Sequence, residues 1–489
     1  MQATEAKGSI GHRKVAAGFG WVALISLSGN LVSFLATLIL AKLLVPQEFG
    51  IVAIAAMTIE VLKLLKDMGL SEAIVYQKRD DHLALDTANT ILVGFHTALF
   101  ILACVAAPFV ARFYKQPIVT PVLIVMATSL IWDSLRAVPR ALARKNVEFR
   151  RLVIPEVVPL AVSSALSIVM AFAGFGIWSL VVKTVLHSLL GAVFLRTINS
   201  YKPRFRYDRE AARELFSYGR VIATTTVLLV VLYNIDRFFV SKVAGLAALG
   251  VYELALRIAE LPVKNFAFLV GSVMFPVFSR LDSTRAALRQ AFLKTLRYAA
   301  FVSFPAAIGL SLYGPALVNA FYGPRWQAIL DPLRILCLYG LFRSLSSIVL
   351  DALKGTGNPH LMRRVVIVKL VCIGGLGIPA LMAYGVIGIC WLIFVTYIVA
   401  FLLELRALCQ QLEMTMLDAL KALTLPATLS VVLVPAIYGS LTWLVITPNV
   451  VSLAIGIAVT VLAYIGAISL CDKRAVADVR SLVVSKAAA

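Results

Sequence analysis

Long apolar stretches separated by short charged loops are the feature that most constrains this sequence. A helix needs about 20 mostly apolar residues to cross the hydrocarbon core of a bilayer, and about 14 stretches reach that length. The sequence is 61% hydrophobic with a mean hydropathy of +0.91, whereas soluble domains are about 45–50% apolar. We therefore predict an all-α polytopic membrane protein. The predicted spans are 15–41, 49–76, 88–111, 118–138, 152–173, 176–197, 215–240, 247–276, 290–313, 329–353, 364–383, 386–408, 419–446 and 450–471.

The charges of the loops predict the orientation of the chain. An even number of spans puts both termini on one side, and the loops on that side are rich in lysine and arginine. Because such loops stay in the cytoplasm, we predict that both termini are cytoplasmic. The longest of these loops, residues 199–214, could hold a short amphipathic surface helix. The basic residues on this side are Arg140, Arg144, Lys145, Arg150, Arg151, Lys202, Arg204, Arg206, Arg209, Arg213, Arg280, Arg285, Arg289, Lys354, Arg363, Arg364, Lys473 and Arg474.

The formal net charge of +21 narrows the choice of partners. The basic residues cluster between apolar spans, so membrane lipids and an anionic substrate fit better than nucleic acid. The six cysteines are scattered without C-x-x-C spacing, which indicates neither a metal site nor a disulfide framework. The sequence also lacks a P-loop and a G-x-S-x-G motif. We expect a protein that is not an enzyme and that uses no cofactor and no metal.

An internal repeat divides the chain into two related halves. Residues 41–55 align without a gap with residues 241–255, at an offset of 241 − 41 = 200. The alignment pairs Lys42 with Lys242, Gly50 with Gly250, Ala55 with Ala255 and Glu60 with Glu260. Transporters built from two such halves bind substrate between them. The predicted parts are an N-terminal lobe (1–198, spans 1–6), a cytoplasmic basic linker (199–214), a C-terminal lobe (215–410, spans 7–12) and a third part with spans 13–14 and the tail (411–489).

Charged residues inside the predicted spans indicate transport. A charge facing lipid costs roughly 2.5–3.5 kcal/mol on insertion scales, so charged helix faces are expected to line a cavity. The two main stripes are Glu253, Arg257, Glu260 and Lys264 in span 8, and Glu60, Lys63, Lys66 and Asp67 in the repeat-equivalent span 2. The spacing in span 8 is i, i+4, i+7 and i+11, which puts all four residues on one face. The alternative is that the charges form ion pairs that only hold helices together. Arg334 and Lys369 are expected to snorkel to an interface.

Three segments resemble a known family. They are the run NIDRFFVSKVAGLAALGVYELALRIAELPVKNFAFLVGSVMFPVFSRL from Asn234 to Leu281, residues 67–73 and residues 137–151. They are similar to bacterial polysaccharide (Wzx-type) oligosaccharide flippases, in the polysaccharide transporter family of the MOP superfamily (multidrug, oligosaccharidyl-lipid and polysaccharide), which also holds lipid II flippases and MATE antiporters. The resemblance extends from about residue 15 to about residue 410. It implies two six-helix lobes in a V, two extra C-terminal helices and alternating access.

The resemblance also implies a location, a substrate and partners. The protein would reside in the bacterial inner membrane and move an undecaprenyl-diphosphate-linked oligosaccharide to the periplasmic leaflet. A polysaccharide polymerase and a chain-length regulator would be its protein partners. Lipid II flippases place essential arginines in helices 1, 2 and 8. Arg257 matches the helix 8 position, whereas span 1 has no arginine and Asn30 is expected to contact sugar instead.

The candidate site residues divide into two groups. The expected substrate-binding residues are Lys63, Lys66, Arg136, Arg220, Arg237, Arg257, Lys264 and Asn30. The expected coupling carboxylates are Asp67, Glu253, Glu60, Glu260 and Asp236. Among the carboxylates, Asp67 and Glu253 lie at stripe ends and have the least compensation from basic residues of their own helix. They are therefore the better candidates to carry the protons that drive transport.

Two other functions compete with the flippase hypothesis. A MATE-like drug/cation antiporter would need a net acidic cavity, whereas the stripes in spans 2 and 8 are balanced in charge. A membrane glycan polymerase or ligase would be expected to carry a large periplasmic loop with catalytic residues. The sequence has no outer loop of that length, so we consider this alternative the weaker one.

Overall fold

The computed structural model describes residues 2–63, 82–146, 148–198, 204–260, 285–355, 359–444 and 450–472. Within these residues the chain is helical and contains no β-strand. The helices are α1 (Gln2–Leu43), α2 (Pro46–Lys63), α3 (His82–Tyr114), α4 (Val119–Lys145), α5 (Phe149–Phe172), α6 (Ile177–Ile198), α7 (Arg209–Val243), α8 (246–260), α9 (Arg285–Phe321) and α10 (Leu330–Gly355), followed by three further stretches, Pro359–Gln411, Met416–Leu444 and Val450–Cys471. A 3-10 turn, Pro324–Ile329, precedes α10.

The stretch Pro359–Gln411 consists of two helices. Gly385 has φ 59° and ψ −148°, a left-handed backbone conformation that breaks the helix and that glycine adopts without a steric penalty. We therefore call residues 359–384 α11 and residues 386–411 α12, and the last two helices are α13 (Met416–Leu444) and α14 (Val450–Cys471). The break falls in the two-residue gap predicted between spans 11 and 12, at residues 384–385.

The prediction of an all-α polytopic membrane protein is confirmed. Ten helical stretches of the described residues are long and apolar enough to cross a membrane. Each of the predicted spans overlaps one of the helices above, with ends shifted by several residues. Spans 2 and 8 are described only up to residues 63 and 260, so the total of 14 spans is consistent with the described helices and stays a prediction.

The chain folds as two compact units. Unit 1 comprises Met1–Glu253 and Ile373–Met382, and unit 2 comprises Leu254–Cys372 and Ala383–Ala489. These units are defined by packing, and the lobe boundaries predicted from the repeat stay a prediction. In unit 1, α3 packs against α4 through a small apolar core of Leu85, Ala88, Leu92, Val138 and Ala141.

Unit 2 has the largest continuous core of the described residues. Phe292 and Leu296 of α9 pack with Leu345 of α10 and Phe401 of α12 in one buried cluster. α14 attaches to α9 through Tyr313, whose hydroxyl lies 2.8 Å from Thr460 Oγ1. The core consists of leucine, phenylalanine and small residues that interdigitate, so packing rather than polar contacts fixes this part of the helix bundle.

The two glycines that the repeat pairs make a reciprocal contact inside unit 1. A Cβ atom built on Gly50 of α2 would overlap the carbonyl oxygen of Leu246, and one built on Gly250 of α8 would overlap the carbonyl oxygen of Pro46. Pro46 and Leu246 are themselves separated by the repeat offset, 246 − 46 = 200. The first turns of α2 and α8 therefore cross backbone to backbone about a local pseudo-twofold axis. This arrangement supports the internal repeat.

The described part of the linker consists of a non-helical segment and the beginning of a long helix. Residues 204–208 are non-helical, and residues 209–214 form the first turns of α7; residues 199–203 lie outside the described residues. The backbone of 204–208 hydrogen-bonds to side chains of α3. The sequence could not indicate this, because the hydrogen-bond partners Asp86 and Thr87 lie more than 100 residues away.

Candidate functional site

Charged side chains of the apolar helices are grouped into three sets. The first, which we call the Arg237 cluster, consists of Glu60, Asp236, Arg237, Tyr252 and Glu253. The second, the N-terminal network, consists of Lys63, Asp133, Arg136, Arg140 and Glu156. The third, the C-terminal network, consists of Glu260, Tyr339, Arg343, Lys369, Tyr397 and Glu404. The first two sets lie in unit 1 and the third lies in unit 2.

A helical hairpin assembles the Arg237 cluster. Helix α7 ends at Val243 and α8 begins at residue 246, with a tight turn at Gly245, whose φ is 88°. Residues 237 and 253 lie at nearly equal distances before and after this turn, so their side chains meet. Arg237 Nε donates to Glu253 Oε2 at 2.9 Å, and Arg237 Nη1 lies 3.8 Å from Glu60 Oε2 on α2.

The remaining donors of Arg237 and the neighbouring carboxylate are also held in place. Arg237 Nη1 donates to the Tyr233 carbonyl oxygen at 2.8 Å. Asp236 is buried and accepts a hydrogen bond from the Tyr252 hydroxyl. The charged groups acting on Arg237 are thus the carboxylates of Glu253, Asp236 and Glu60. Among the described residues, three carboxylates thus act on this one guanidinium.

The N-terminal network is built on one face of α4. Asp133, Arg136 and Arg140 follow i, i+3 and i+7 spacing, which aligns them along the helix. Lys63 Nζ of α2 lies 2.9 Å from Asp133 Oδ2. Arg136 Nη2 lies 3.1 Å from Glu156 Oε2 of α5, and Arg140 pairs with the other oxygen of Glu156. The network holds three cations and two anions.

A glycine makes room for the buried arginine of this network. The side chain of Arg136 is 6% exposed, and a Cβ atom on Gly191 of α6 would lie 2.6 Å from its Cζ atom. α6 therefore approaches the guanidinium closely enough to shield it. Its positive charge is compensated by Glu156 and, at 3.8 Å, by Asp133.

The C-terminal network has the opposite arrangement of signs. Glu260 of α8 pairs with Arg343 of α10, whereas in the N-terminal network a lysine of α2 pairs with an aspartate of α4. Lys369 Nζ of α11 lies 3.0 Å from Glu404 Oε1 of α12, and these side chains are 5% and 1% exposed. Lys369 also lies 4.5 Å from the ring centroid of Tyr397, a cation–π distance.

Arg257 differs from its neighbours on α8. Residues 251–256 and 258–260 are buried, whereas Arg257 is exposed. It lies about 16 Å along the helix from residue 246, at 1.5 Å per residue, which is near the middle of a roughly 30 Å hydrocarbon core. A guanidinium at that depth is expected to face water or an anionic group rather than lipid.

The structure places most of the other predicted site residues. Asn30 is half-buried on α1, and Arg220 lies on α7, where only the backbone is described. Lys66, Asp67 and Lys264 lie outside the described residues. Of the described candidates, the structure brings Glu60, Asp236, Arg237 and Glu253 into one cluster. It places Lys63 and Arg136 in a second group and Glu260 in a third.

Two interpretations made from single helices are wrong. Glu253 is not weakly compensated, because Arg237 of the preceding helix binds it directly. Lys369 does not snorkel to an interface, since it is buried against Glu404. Sequence spacing shows neighbours on one helix but not the helix that packs opposite.

Sequence reasoning also missed two carboxylates and a tyrosine. Glu156 and Glu404 each lie inside a predicted span, and this alone was a usable signal because acidic residues are rare in membrane helices. Tyr252, which donates to Asp236, gave no signal, since tyrosine is common in such helices. Together these residues supply partners for Arg136, Lys369 and Asp236.

Solved structures with the same fold define the class of this protein. The lipid II flippase MurJ in an inward closed conformation aligns with a TM-score of 0.74 and 18% identity, covering 92% of this chain and 99% of that chain. A multidrug resistance MATE family transporter of the MOP superfamily, in an inward-facing conformation, aligns with a TM-score of 0.64 and 17% identity, covering 80% of this chain and 99% of that chain. The chain has the fold of these membrane transporters.

The sequence comparisons then give the family. The family described as "Polysaccharide biosynthesis protein" matches residues 39–331, which is more than half of the chain. The chain belongs to this family, and the predicted resemblance is confirmed. The lipopolysaccharide biosynthesis protein WzxC of Escherichia coli (strain K12) is 22% identical over 340 residues, 69% of each chain. The succinoglycan biosynthesis transport protein ExoT of Rhizobium meliloti (strain 1021) is 24% identical over 385 residues, 78% of this chain and 76% of that protein.

These comparisons bear on the expected class of activity. The structural neighbours are a flippase and multidrug transporters, and one relative is named as a transport protein. They agree with the prediction of a multi-pass membrane transporter rather than an enzyme. Within the described residues no group of three or more histidine, cysteine, aspartate or glutamate side chains is placed to hold a metal ion.

Proposed function

We propose that the protein flips undecaprenyl-diphosphate-linked oligosaccharide units from the cytoplasmic to the periplasmic leaflet of the bacterial inner membrane. Both termini would lie in the cytoplasm, and the product would enter exopolysaccharide, capsule or O-antigen assembly. The observation that carries this proposal is Arg257, whose side chain is exposed on a helix whose other residues from 251 to 260 are buried. Family membership and the transporter fold support it.

The chemistry of the substrate explains the need for such a residue. A polyprenyl tail is stable in lipid, but a diphosphate and a sugar head cannot cross hydrocarbon unaided. A guanidinium binds phosphate oxygens through two parallel hydrogen bonds. Arg257 would therefore hold the diphosphate while the tail stays in the bilayer. Lys63 of span 2, whose side chain is 31% exposed, would also bind the diphosphate. Lys66 and Lys264, which lie outside the described residues, are proposed for the same role on the basis of the sequence.

The other basic candidates would position rather than bind. Arg136 is buried between Glu156 and Asp133, and Arg237 is held by Glu253 and Glu60. Removing either arginine would leave buried carboxylates uncompensated, which is expected to cost stability. Their proposed role is to fix the helices that present Arg257 and Lys63 and to change partners when the protein changes conformation.

We propose that the Arg237 cluster couples flipping to the proton gradient. The carboxylates of Glu253, Asp236 and Glu60 all act on the Arg237 guanidinium, so a proton bound to one of them would weaken the ion pairs that hold the cluster together. Glu60 is the carboxylate through which protons would enter, since its side chain is 54% exposed and only 3.8 Å from Arg237. Protonation would loosen the hold of α2 on the α7–α8 hairpin and shift the conformational equilibrium.

The binding role of Arg257 is tested by substitution in cells that make the polymer. Arg257→Ala should reduce polymer export at least tenfold while the amount of protein in the membrane is unchanged. Arg257→Lys should retain part of the export, because the lysine ammonium keeps the positive charge but cannot form the two parallel hydrogen bonds that a guanidinium makes with a phosphate. Arg334→Ala is the matched control, since Arg334 is also exposed and forms an ion pair with Asp331, one turn away at 3.5 Å. Full export by Arg257→Ala would make Arg257 structural and would favour the ion-pair alternative.

The coupling role is tested in reconstituted vesicles, where substrate binding and proton-driven flipping are measured separately. Glu253→Gln and Asp67→Asn should slow flipping under a proton gradient several-fold and leave binding nearly unchanged. Glu148→Gln is the control, because Glu148 forms an exposed ion pair with Arg151 outside the cluster. If both variants flip at the wild-type rate under the gradient, Glu253 and Asp67 are not the coupling carboxylates, and a different coupling ion or an uncoupled mechanism is indicated.

A further inference from the structure

A short segment between the two halves of the chain is fixed by its backbone. We call residues 204–208 the strap. The strap makes three hydrogen bonds with the beginning of α3: the Arg204 amide donates to Asp86 Oδ1 at 3.1 Å, the Asp208 amide donates to Thr87 Oγ1 at 3.0 Å, and the Thr90 hydroxyl donates to the Arg206 carbonyl oxygen at 2.9 Å. Asp86 and Thr87 are buried. The main chain of the strap is therefore held, although it contains no regular helix.

Four side chains of the strap are exposed. Phe205 is 74% exposed and Tyr207 is 64% exposed, and Arg204 and Arg206 are exposed as well. The Arg206 amide donates to the Arg204 carbonyl oxygen at 3.1 Å, which puts Phe205 at the tip of a three-residue turn. The strap therefore presents two aromatic rings and two guanidinium groups on a backbone that hydrogen bonds hold in place.

The position of the strap relative to the membrane follows from its partners. Asp86 and Thr87 belong to the first turns of the membrane-spanning stretch Leu83–Tyr114, about 5 Å from its start at 1.5 Å per residue. The headgroup region is about 5–7 Å thick on each side of the hydrocarbon core. A segment hydrogen-bonded to these residues lies at the level of the lipid headgroups. By the predicted topology this is the cytoplasmic leaflet.

We infer that the strap is a binding site for anionic phospholipid headgroups. Arg204 and Arg206 offer guanidinium groups that match the lipid phosphate, and Phe205 and Tyr207 are of the residue type that enters the interface between headgroups and acyl chains. Beyond the strap, Arg209 and Arg213 are exposed at the start of α7, with Glu210 as the exposed counter-charge. The patch is net positive, and the inner leaflet of a bacterial membrane is the nearest surface of opposite charge.

The alternative occupant is a cytoplasmic protein with an acidic surface. The observations favour lipid, because the strap is hydrogen-bonded to the first turns of a helix long and apolar enough to span the membrane. The bound lipid would anchor the connection between the two halves of the chain. This inference does not depend on the transported substrate.

The test uses the full-length protein in vesicles and needs no transport activity. Vesicles contain trace photoactivatable phosphatidylglycerol or photoactivatable phosphatidylcholine, and lipid adducts on peptides covering 204–213 are quantified by mass spectrometry. We expect several-fold more adduct with phosphatidylglycerol than with phosphatidylcholine. The double variant Arg204→Gln/Arg206→Gln should lose this preference, so that the two lipids give similar adduct yields.

Two further variants separate the contributions and control for nonspecific charge effects. Phe205→Ala/Tyr207→Ala should lower the adduct yield with both lipids, since the rings act through the interface and not through charge. Arg325→Gln, which removes an exposed arginine of the Pro324–Ile329 turn on the side predicted to face the periplasm, should leave labelling of the strap unchanged. Equal labelling by the two lipids, or an unchanged preference in the arginine double variant, would overturn the inference. Little labelling in vesicles together with a protein crosslink to the strap in native membranes would assign it to a protein partner instead.

Discussion

Replacing Gly50 or Gly250 by alanine should separate the first turns of α2 and α8. The new Cβ atom would lie 2.8 Å from the carbonyl carbon of Leu246 or of Pro46, respectively, and would overlap the attached oxygen. A normal contact is about 3.5 Å, so the backbones would have to move apart by about 0.7 Å or more. Overpacking of this kind destabilises a protein by about 3 kcal/mol. Alanine stabilises a helix by about 1 kcal/mol relative to glycine, so the expected net destabilisation is about 2 kcal/mol.

The assay is thermal unfolding of the purified protein in detergent, with the yield of monodisperse protein as a second readout. Gly94→Ala and Gly309→Ala are matched controls, because a Cβ atom on either helical glycine meets nothing within 4 Å. The controls should unfold at or slightly above the wild-type temperature, and both test variants should unfold several degrees lower. The double variant should lose less stability than the sum of the losses in the two single variants, since both substitutions disrupt the same contact between α2 and α8. Test variants that unfold like the controls would refute the reciprocal contact.

Two further predictions concern the buried ion pair and the topology. Lys369→Met should destabilise the protein by about 3–5 kcal/mol by leaving Glu404 buried without its cation, whereas Lys369→Met/Glu404→Leu should recover most of that loss; equal unfolding temperatures for the single and double variants would contradict this. In a background without native cysteines, a cysteine at Arg325 should react with an impermeant reagent added outside intact cells and one at Asn146 should not; external labelling at Asn146 would overturn the predicted orientation.

The positions of the helices could be predicted from the sequence for a simple physical reason. A membrane-spanning helix must satisfy its own backbone hydrogen bonds and present apolar side chains over a fixed length. Each membrane-spanning helix can therefore be recognised from its own stretch of apolar residues. For example, the helix break at Gly385 falls in the gap predicted between spans 11 and 12. The repeat was also visible, because Gly50 and Gly250 meet the same steric requirement in both halves.

The partners of the charged residues could not be predicted in the same way. An ion pair between helices depends on which helices pack together and in which rotation, and this is decided by the whole apolar surface. Lys369 and Glu404 are separated by 35 residues and a helical break, and Arg343 reaches Glu260 across 83 residues. The sequence identified these positions as charged and costly to bury. The sequence could not show that these charged residues form ion pairs with one another.

This pairing changes how the candidate site is understood. The stripe of span 8 was expected to face one cavity as a unit, but Glu253 and Glu260 are buried in ion pairs with different helices. Arg257, between them, is exposed. The ion-pair alternative therefore describes the two glutamates well, and Arg257 stays the proposed substrate-binding residue because its side chain is accessible on this helix.

Flipping in a purified system tests the central proposal most directly. Vesicles would contain the protein and a fluorescent undecaprenyl-diphosphate-linked oligosaccharide, and the fraction of sugar accessible to an external glycosidase would be followed after a proton gradient is imposed. The proposal predicts protein-dependent and gradient-dependent movement of the lipid-linked oligosaccharide, reduced at least tenfold by Arg257→Ala and unaffected by Arg334→Ala. No protein-dependent movement of this lipid, together with gradient-driven transport of a lipophilic cation by the same vesicles, would contradict the proposal and identify a cation antiporter.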